Sequence, residues 1–126
     1  MAKAIPLIII AFPSAFYSQI NLSANRLRFI PDEVLRLEHL QSLNLAFNRI
    51  SALTPANFPP GSLQQLVHLS IRSNNLTKLD SPQLFVNLNQ LQSMDLSNNR
   101  IEEVAEHVFG NDGGHDAETI STTFSS

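Results

Sequence analysis

The chain has no cysteine, no tryptophan and only four glycines in 126 residues. Without cysteine there is no disulfide, no thiol nucleophile and no cysteine-ligated zinc, and the redox compartment stays open. The glycines, at 61, 110, 113 and 114, do not form a phosphate-cradling loop or the sharp turn of a nucleophile elbow. Eight Lys and Arg against eleven Asp and Glu give a net charge of −3. No basic stripe stands out along the sequence, which argues against a nucleic-acid partner. An enzyme is not expected, nor a cofactor, a metal or a small-molecule substrate. The length leaves room for one domain.

What the chain does have is one phrase four times over: Tyr17-x-x-Ile20-x-Leu22-x-x-Asn25-x-Leu27, Leu40-x-x-Leu43-x-Leu45-x-x-Asn48-x-Ile50, Leu66-x-x-Leu69-x-Ile71-x-x-Asn74-x-Leu76 and Leu91-x-x-Met94-x-Leu96-x-x-Asn99-x-Ile101. The asparagines lie 23, 26 and 25 residues apart, a solenoid period rather than a helical or strand period. A further aliphatic residue follows each phrase: Ile30, Leu53, Leu79 and Val104. The alternation around the fourth and sixth slots reads as a short strand with one buried face. Stacked turns make these strands parallel neighbours and their apolar slots continuous ladders. No single turn can bury such a ladder, so stability comes from adjacent turns.

Where the chain leaves the sheet, backbone donors and acceptors are stranded inside the coil. An asparagine side chain offers both functions and is short enough to bridge the bend. Asn25, Asn48, Asn74 and Asn99 therefore form an inward structural ladder. The returns differ from one another. Ile30 to His39 predicts a short helix opening after Pro31, with Val34 or Leu35 and Leu37 facing inward, and Ser81 to Leu88 a similar turn opening at Pro82. Thr54 to Gly61, with three prolines, predicts an extended, irregular arc. Phe58, Phe85 and Phe109 are expected to plug the convex side.

The phrase, with its extra aliphatic and downstream proline or phenylalanine, resembles the leucine-rich repeat family over residues 17–109. That resemblance implies an α/β fold: a right-handed curved solenoid, a parallel β-sheet on its concave side, short helical or irregular returns on its convex side, and a protein partner. Ile101-Glu-Glu-Val104-x-x-x-x-Phe109 is similar to repeats of extracellular adhesion and receptor proteins of the chaoptin and Toll-like kind. The Ile30-Pro31 return is shared with cytoplasmic scaffold members. Extracellular members usually carry cysteine-rich caps, so the chain resembles a fragment or short form of a longer array.

Residues 1–16 admit two readings. Lys3 followed by the apolar run from Ala4 to Phe12 looks like a secretory signal segment. A degenerate first repeat fits as well, because Ile5 precedes Tyr17 by the same 12 residues that separate Leu79 from Leu91. Residues 110–126, rich in Gly, Asp, Ser and Thr, read as a flexible polar tail. Asp112, His115 and Asp116 lack the spacing of a metal site.

With the apolar ladders facing in, the slots between them face out in four columns: Gln19/Ser42/His68/Ser93, Asn21/Asn44/Ser70/Asp95, Ser23/Ala46/Arg72/Ser97 and Ala24/Phe47/Ser73/Asn98. Phe47, His68, Arg72, Asp95 and Asn44 are the candidate partner-binding residues, an aromatic beside an arginine being a common interface anchor. Phe47 could instead cover the end of its strand, and Arg72 with Asp95 could be an ordinary surface ion pair. Asn21-Leu22-Ser23 and Asn75-Leu76-Thr77 are glycosylation sequons. The expected function is a non-catalytic protein-binding module of a secreted or cell-surface adhesion or receptor-like protein, with a cytoplasmic scaffold and a fragment without independent function as alternatives. Membrane association would come only through a larger parent protein.

Overall fold

The computed structural model describes residues 18–108 in full and the backbone of 121–123. Tyr17, Phe109, the signal-like segment 1–16 and the Asp112, His115, Asp116 group lie outside the described residues.

Each repeat contributes a three-residue strand: β1 (Gln19–Asn21), β2 (Ser42–Asn44), β3 (His68–Ser70) and β5 (Ser93–Asp95). They are parallel and in the expected register, with Ile20, Leu43, Leu69 and Met94 side by side. Strands this short suffice because backbone pairing continues past them. Phe47 N–H donates to the Arg72 carbonyl at 2.9 Å, and Ser73 N–H to that of Ser97 at 2.9 Å. A second, two-stranded sheet joins β4 (Lys78–Leu79) to β6 (Glu103–Val104) after the bend.

A fifth strand, β7 (Ser121–Thr123), lies against the open side of β5, pairing Met94 with Thr122. Residues 121–123 thus extend the sheet. The β5 edge offers unpaired N–H and C=O groups to any extended segment, and threonine suits a strand. Backbone pairing needs no leucine, so the repeat phrase could not reveal it.

The core is the stack of apolar slots. Leu22, Leu45, Ile71 and Leu96 are at most 1% exposed. The outer turns are less well covered: Ile20 and Ile101 are half-buried, and Val104 is 50% exposed where Ile30, Leu53 and Leu79 are buried. On the convex side the first return makes α1 (Asp32–Leu35) directly after Pro31. Val34 and Leu37 are its buried contributions, and Leu35 is half-buried. The second return is not wholly extended. Pro55–Asn57 closes a 3-10 turn, because the fixed φ of Pro55 suits a first helical position and Thr54 N–H donates to Asn57 Oδ1 at 2.7 Å. The third return is a series of turns over residues 81–87 without a helix. Phe58 and Phe85 are buried beneath these returns with ring centroids 5.5 Å apart and planes tilted by 52°. Asn87 Nδ2 ties the two returns together by donating to the Phe58 carbonyl at 2.9 Å.

Candidate functional site

The asparagine ladder holds the sheet in shape. Asn48 Oδ1 accepts from the Asn25 and Leu27 N–H groups, both at 2.9 Å, while its Nδ2 donates to the carbonyls of Leu22 (3.0 Å), Leu45 (3.0 Å) and Ala46 (3.2 Å). Asn74 and Asn99 repeat the arrangement one and two turns on, reaching back to Leu45 and Ile71. Among the described residues, Asn25, on the first described turn, donates to Leu22 and Ser23. Every buried side-chain polar atom among the described residues has a partner. The sheet in front of this ladder is therefore a rigid plate.

Next to each ladder residue the backbone turns through the left-handed region, at Ala24 (φ 59°), Phe47 (58°), Ser73 (57°) and Asn98 (57°). The repetition shows that the bend belongs to the repeat. Asparagine and small side chains tolerate this conformation, whereas phenylalanine is strained in it. Phe47 nevertheless stands there 60% exposed, its ring mostly turned to solvent rather than folded over the neighbouring turns.

The column Asn21/Asn44/Ser70/Asp95 serves the backbone. Asn21 Oδ1 accepts from Ser23 N–H at 3.0 Å, Asn44 Oδ1 from Ala46 N–H at 2.9 Å, and Asp95 Oδ1 from Ser97 N–H at 2.9 Å and from the Ser97 hydroxyl at 2.5 Å. Asn44, a candidate contact residue, thus has its oxygen engaged in closing the bend. The next column does not face out throughout, as the alternation predicts. Ala46 and Ser97 are 5% and 4% exposed, because the chain has already begun to turn inward there, while Arg72 in the same column is exposed.

His68, Arg72 and Asp95 lie on the open face in two separate contacts. His68 Nδ1 is 2.5 Å from Ser93 Oγ on the adjacent strand, and an Arg72 guanidinium nitrogen is 4.0 Å from Asp95 Oδ2. A shallow depression of about 280 Å³ crosses β2, β3 and β5, edged by Ser42, Asn44, His68, Ser70, Ser93 and Asp95. Its hydroxyls, one amide, one imidazole and one carboxylate suit hydrogen bonding over a flat area. Asn75 is exposed on the bend, and Asn21 is exposed at the end of the sheet.

Arginines were missed at the sequence level. Arg26, Arg49 and Arg100, each following a ladder asparagine, share one exposed column with Asn75. This column is invisible in net charge and becomes legible once the ladder register is applied to the next residue. Among the described residues, no group of three or more His, Asp or Glu is placed to hold a metal ion, and no helix is long and apolar enough to cross a membrane.

Comparison with known proteins agrees with this architecture. Leucine-rich repeat family models match residues 39–60 and 64–111. Human leucine-rich repeat-containing protein 66 is 39% identical over 80 residues, which is 64% of this chain and 9% of that protein. Receptor-like protein 41 of Arabidopsis thaliana is 34% identical over 82 residues, 65% of this chain and 9% of its own length. Leucine-rich repeat serine/threonine-protein kinase 1 of Caenorhabditis elegans is 32% identical over 95 residues, 75% of this chain and 4% of the kinase. The chain spans less than a tenth of the length of these relatives. What they share with it is the repeat region, a type of domain that is typically a non-catalytic interaction module. The stacked parallel strands, the in-register asparagines and these matches make the chain a member of the leucine-rich repeat family.

Proposed function

We propose that the chain is a non-catalytic protein-binding module whose concave sheet seats its partner around Phe47, His68, Arg72 and Asp95, with Asn44 at the edge of the same surface. The observation that carries this reading is the strained, solvent-facing Phe47 beside the exposed Arg72 on a plate fixed by the asparagine ladder. An aromatic ring that buries little of its own surface in a costly backbone conformation gains most by being covered in a complex. A pre-formed plate also loses little freedom on binding. Replacing Phe47, His68 and Arg72 together by alanine is expected to abolish capture of a native partner in a pull-down. Undiminished capture by a folded triple variant would refute the reading.

The parent setting we favour is a secreted or cell-surface, adhesion or receptor-like protein, with Asn75 carrying a glycan. The exposed Asn75 and Thr77 of the Asn75-Leu76-Thr77 sequon support this, as does the similarity to a plant receptor-like protein. A cytoplasmic scaffold is the second reading, favoured by the Ile30-Pro31 return and the absence of cysteine. Mass spectrometry of the protein from its native host discriminates them: glycan on Asn75 requires passage through the secretory route, and an Asn75 peptide found only unmodified favours the scaffold.

A further inference from the structure

Five of the six arginines, Arg26, Arg28, Arg49, Arg72 and Arg100, are exposed on the stretches that leave the strands. Asp32, Glu33, Glu38, Asp80 and Glu106 lie beyond those stretches, on the returns, while Asp95 ends its strand and Glu102 and Glu103 follow Arg100. Backbone pairing fixes the register of the column: Arg49 N–H donates to the Leu27 carbonyl (2.7 Å), Asn75 N–H to Ile50 (2.9 Å) and Arg100 N–H to Leu76 (2.9 Å). At a strand spacing of about 4.8 Å, Arg26 and Arg49 are about 5 Å apart at the backbone and Arg49 and Arg100 about 10 Å apart.

The ion pairs among the described residues are Arg72 with Asp95 and Lys78 with Asp80, so no described carboxylate comes within 4.0 Å of Arg26, Arg49 or Arg100. Like charges stacked on neighbouring turns repel, and among the described residues no ion pair offsets that repulsion. On the first two described turns the column is accompanied by two exposed rings, Phe29 at 77% and Phe47 at 60%. Arginine forks pair carboxylates in a bidentate manner, and the rings offer apolar area between them.

We propose that the edge formed by Arg26, Arg49 and Arg100, with Phe29 and Phe47 beside it, binds an acidic protein segment whose carboxylates alternate with apolar side chains. The segment runs along the solenoid axis, across successive turns, and its site borders the concave-sheet site, sharing Phe47 with it but not His68. A sulfated polysaccharide would use the arginines but has less apolar surface to set against the rings. Salt weakens the complex, because the contacts are exposed charge pairs.

The test uses the full chain and fluorescence anisotropy with a labelled peptide of repeated Glu-Glu-Phe triplets. Its Gln-Gln-Phe counterpart and a sulfated oligosaccharide are run in parallel. Expected are binding of the Glu peptide, none of the Gln peptide, and a loss of about ten-fold or more for Arg49→Glu with Arg100→Glu. Phe47→Ala is expected to weaken binding about five-fold, and His68→Ala to leave it unchanged while lowering capture of a concave-face partner. Should the charge-reversed protein lose its circular dichroism signature, Arg49→Gln with Arg100→Gln replaces it. Equal binding of the Glu and Gln peptides, indifference to the arginine variants, or binding of the oligosaccharide alone would overturn the proposal.

Discussion

The side-chain amide of Asn74 donates to the carbonyl of Leu45, 29 residues earlier and one turn back, at 2.9 Å. It also donates to Ile71 and Arg72 in its own turn, and its oxygen accepts from Ile50 N–H at 2.9 Å. One neutral side chain thus joins two turns of the coil, while the Asn25 amide, among the described residues, donates within its own turn. Asn74→Ala leaves several buried backbone groups unpaired and is expected to cost about 1–3 kcal/mol. Asn25→Ala, at a half-buried site on the first described turn, is expected to cost less than half of that. Urea unfolding of the two variants makes the comparison, and equal losses would contradict a ladder that works between turns.

Much of this was legible because the repeat states the same constraint four times. The strand register, the burial of Leu43, Leu69 and Met94, and the pairing of His68 with Ser93 all follow from aligning the phrases. Less legible was anything set by backbone geometry rather than by side-chain type. The inward turn that buries Ala46 and Ser97 begins before the alternation in the sequence ends. The Asn44 and Asp95 side chains look like free surface groups until the N–H groups two residues on are seen to need acceptors. β7 pairs through its backbone and carries no leucine signal at all.

Phe58 and Phe85 come from different returns yet pack ring to ring, at 0% and 1% exposure. Truncating either to alanine is expected to destabilise by about 3–5 kcal/mol, combining lost transfer energy with a cavity. A double-mutant cycle is expected to give a coupling of about 0.5–1.5 kcal/mol, the range for tilted aromatic pairs. Coupling indistinguishable from zero would mean that the two rings only fill space side by side.

Phe47 carries a side chain suited to binding on a backbone suited to asparagine. Asn98 occupies the equivalent bend at nearly the same φ, and a left-handed backbone costs a bulky residue about 1–2 kcal/mol. Phe47→Asn is therefore expected to raise the unfolding free energy by about 0.5–1 kcal/mol, the ring giving up only the minor part of its area that is buried. Partner capture is expected to fall in the same variant. Opposed changes in stability and binding identify a residue held for function, whereas a variant that loses both would identify Phe47 as a packing residue.

Asp95 has two partners of different worth. Arg72 approaches its Oδ2 at 4.0 Å, with the side chains 47% and 38% exposed, whereas Ser97, buried, donates both its N–H and its hydroxyl to Oδ1. An exposed pair at that distance contributes about 0–1 kcal/mol, and a buried N–H without an acceptor costs about 1–3 kcal/mol. Asp95→Ala is thus expected to destabilise by about 1–2 kcal/mol, while Arg72→Ala and Asp95→Asn, which preserve the acceptor, stay within about 0.5 kcal/mol of the parent. Urea midpoints at low and high salt distinguish the two contributions, since only the ion pair is screened. If Arg72→Ala proved as damaging as Asp95→Ala, the carboxylate would be acting chiefly on the guanidinium, and Arg72 would be too committed to the fold to meet a partner.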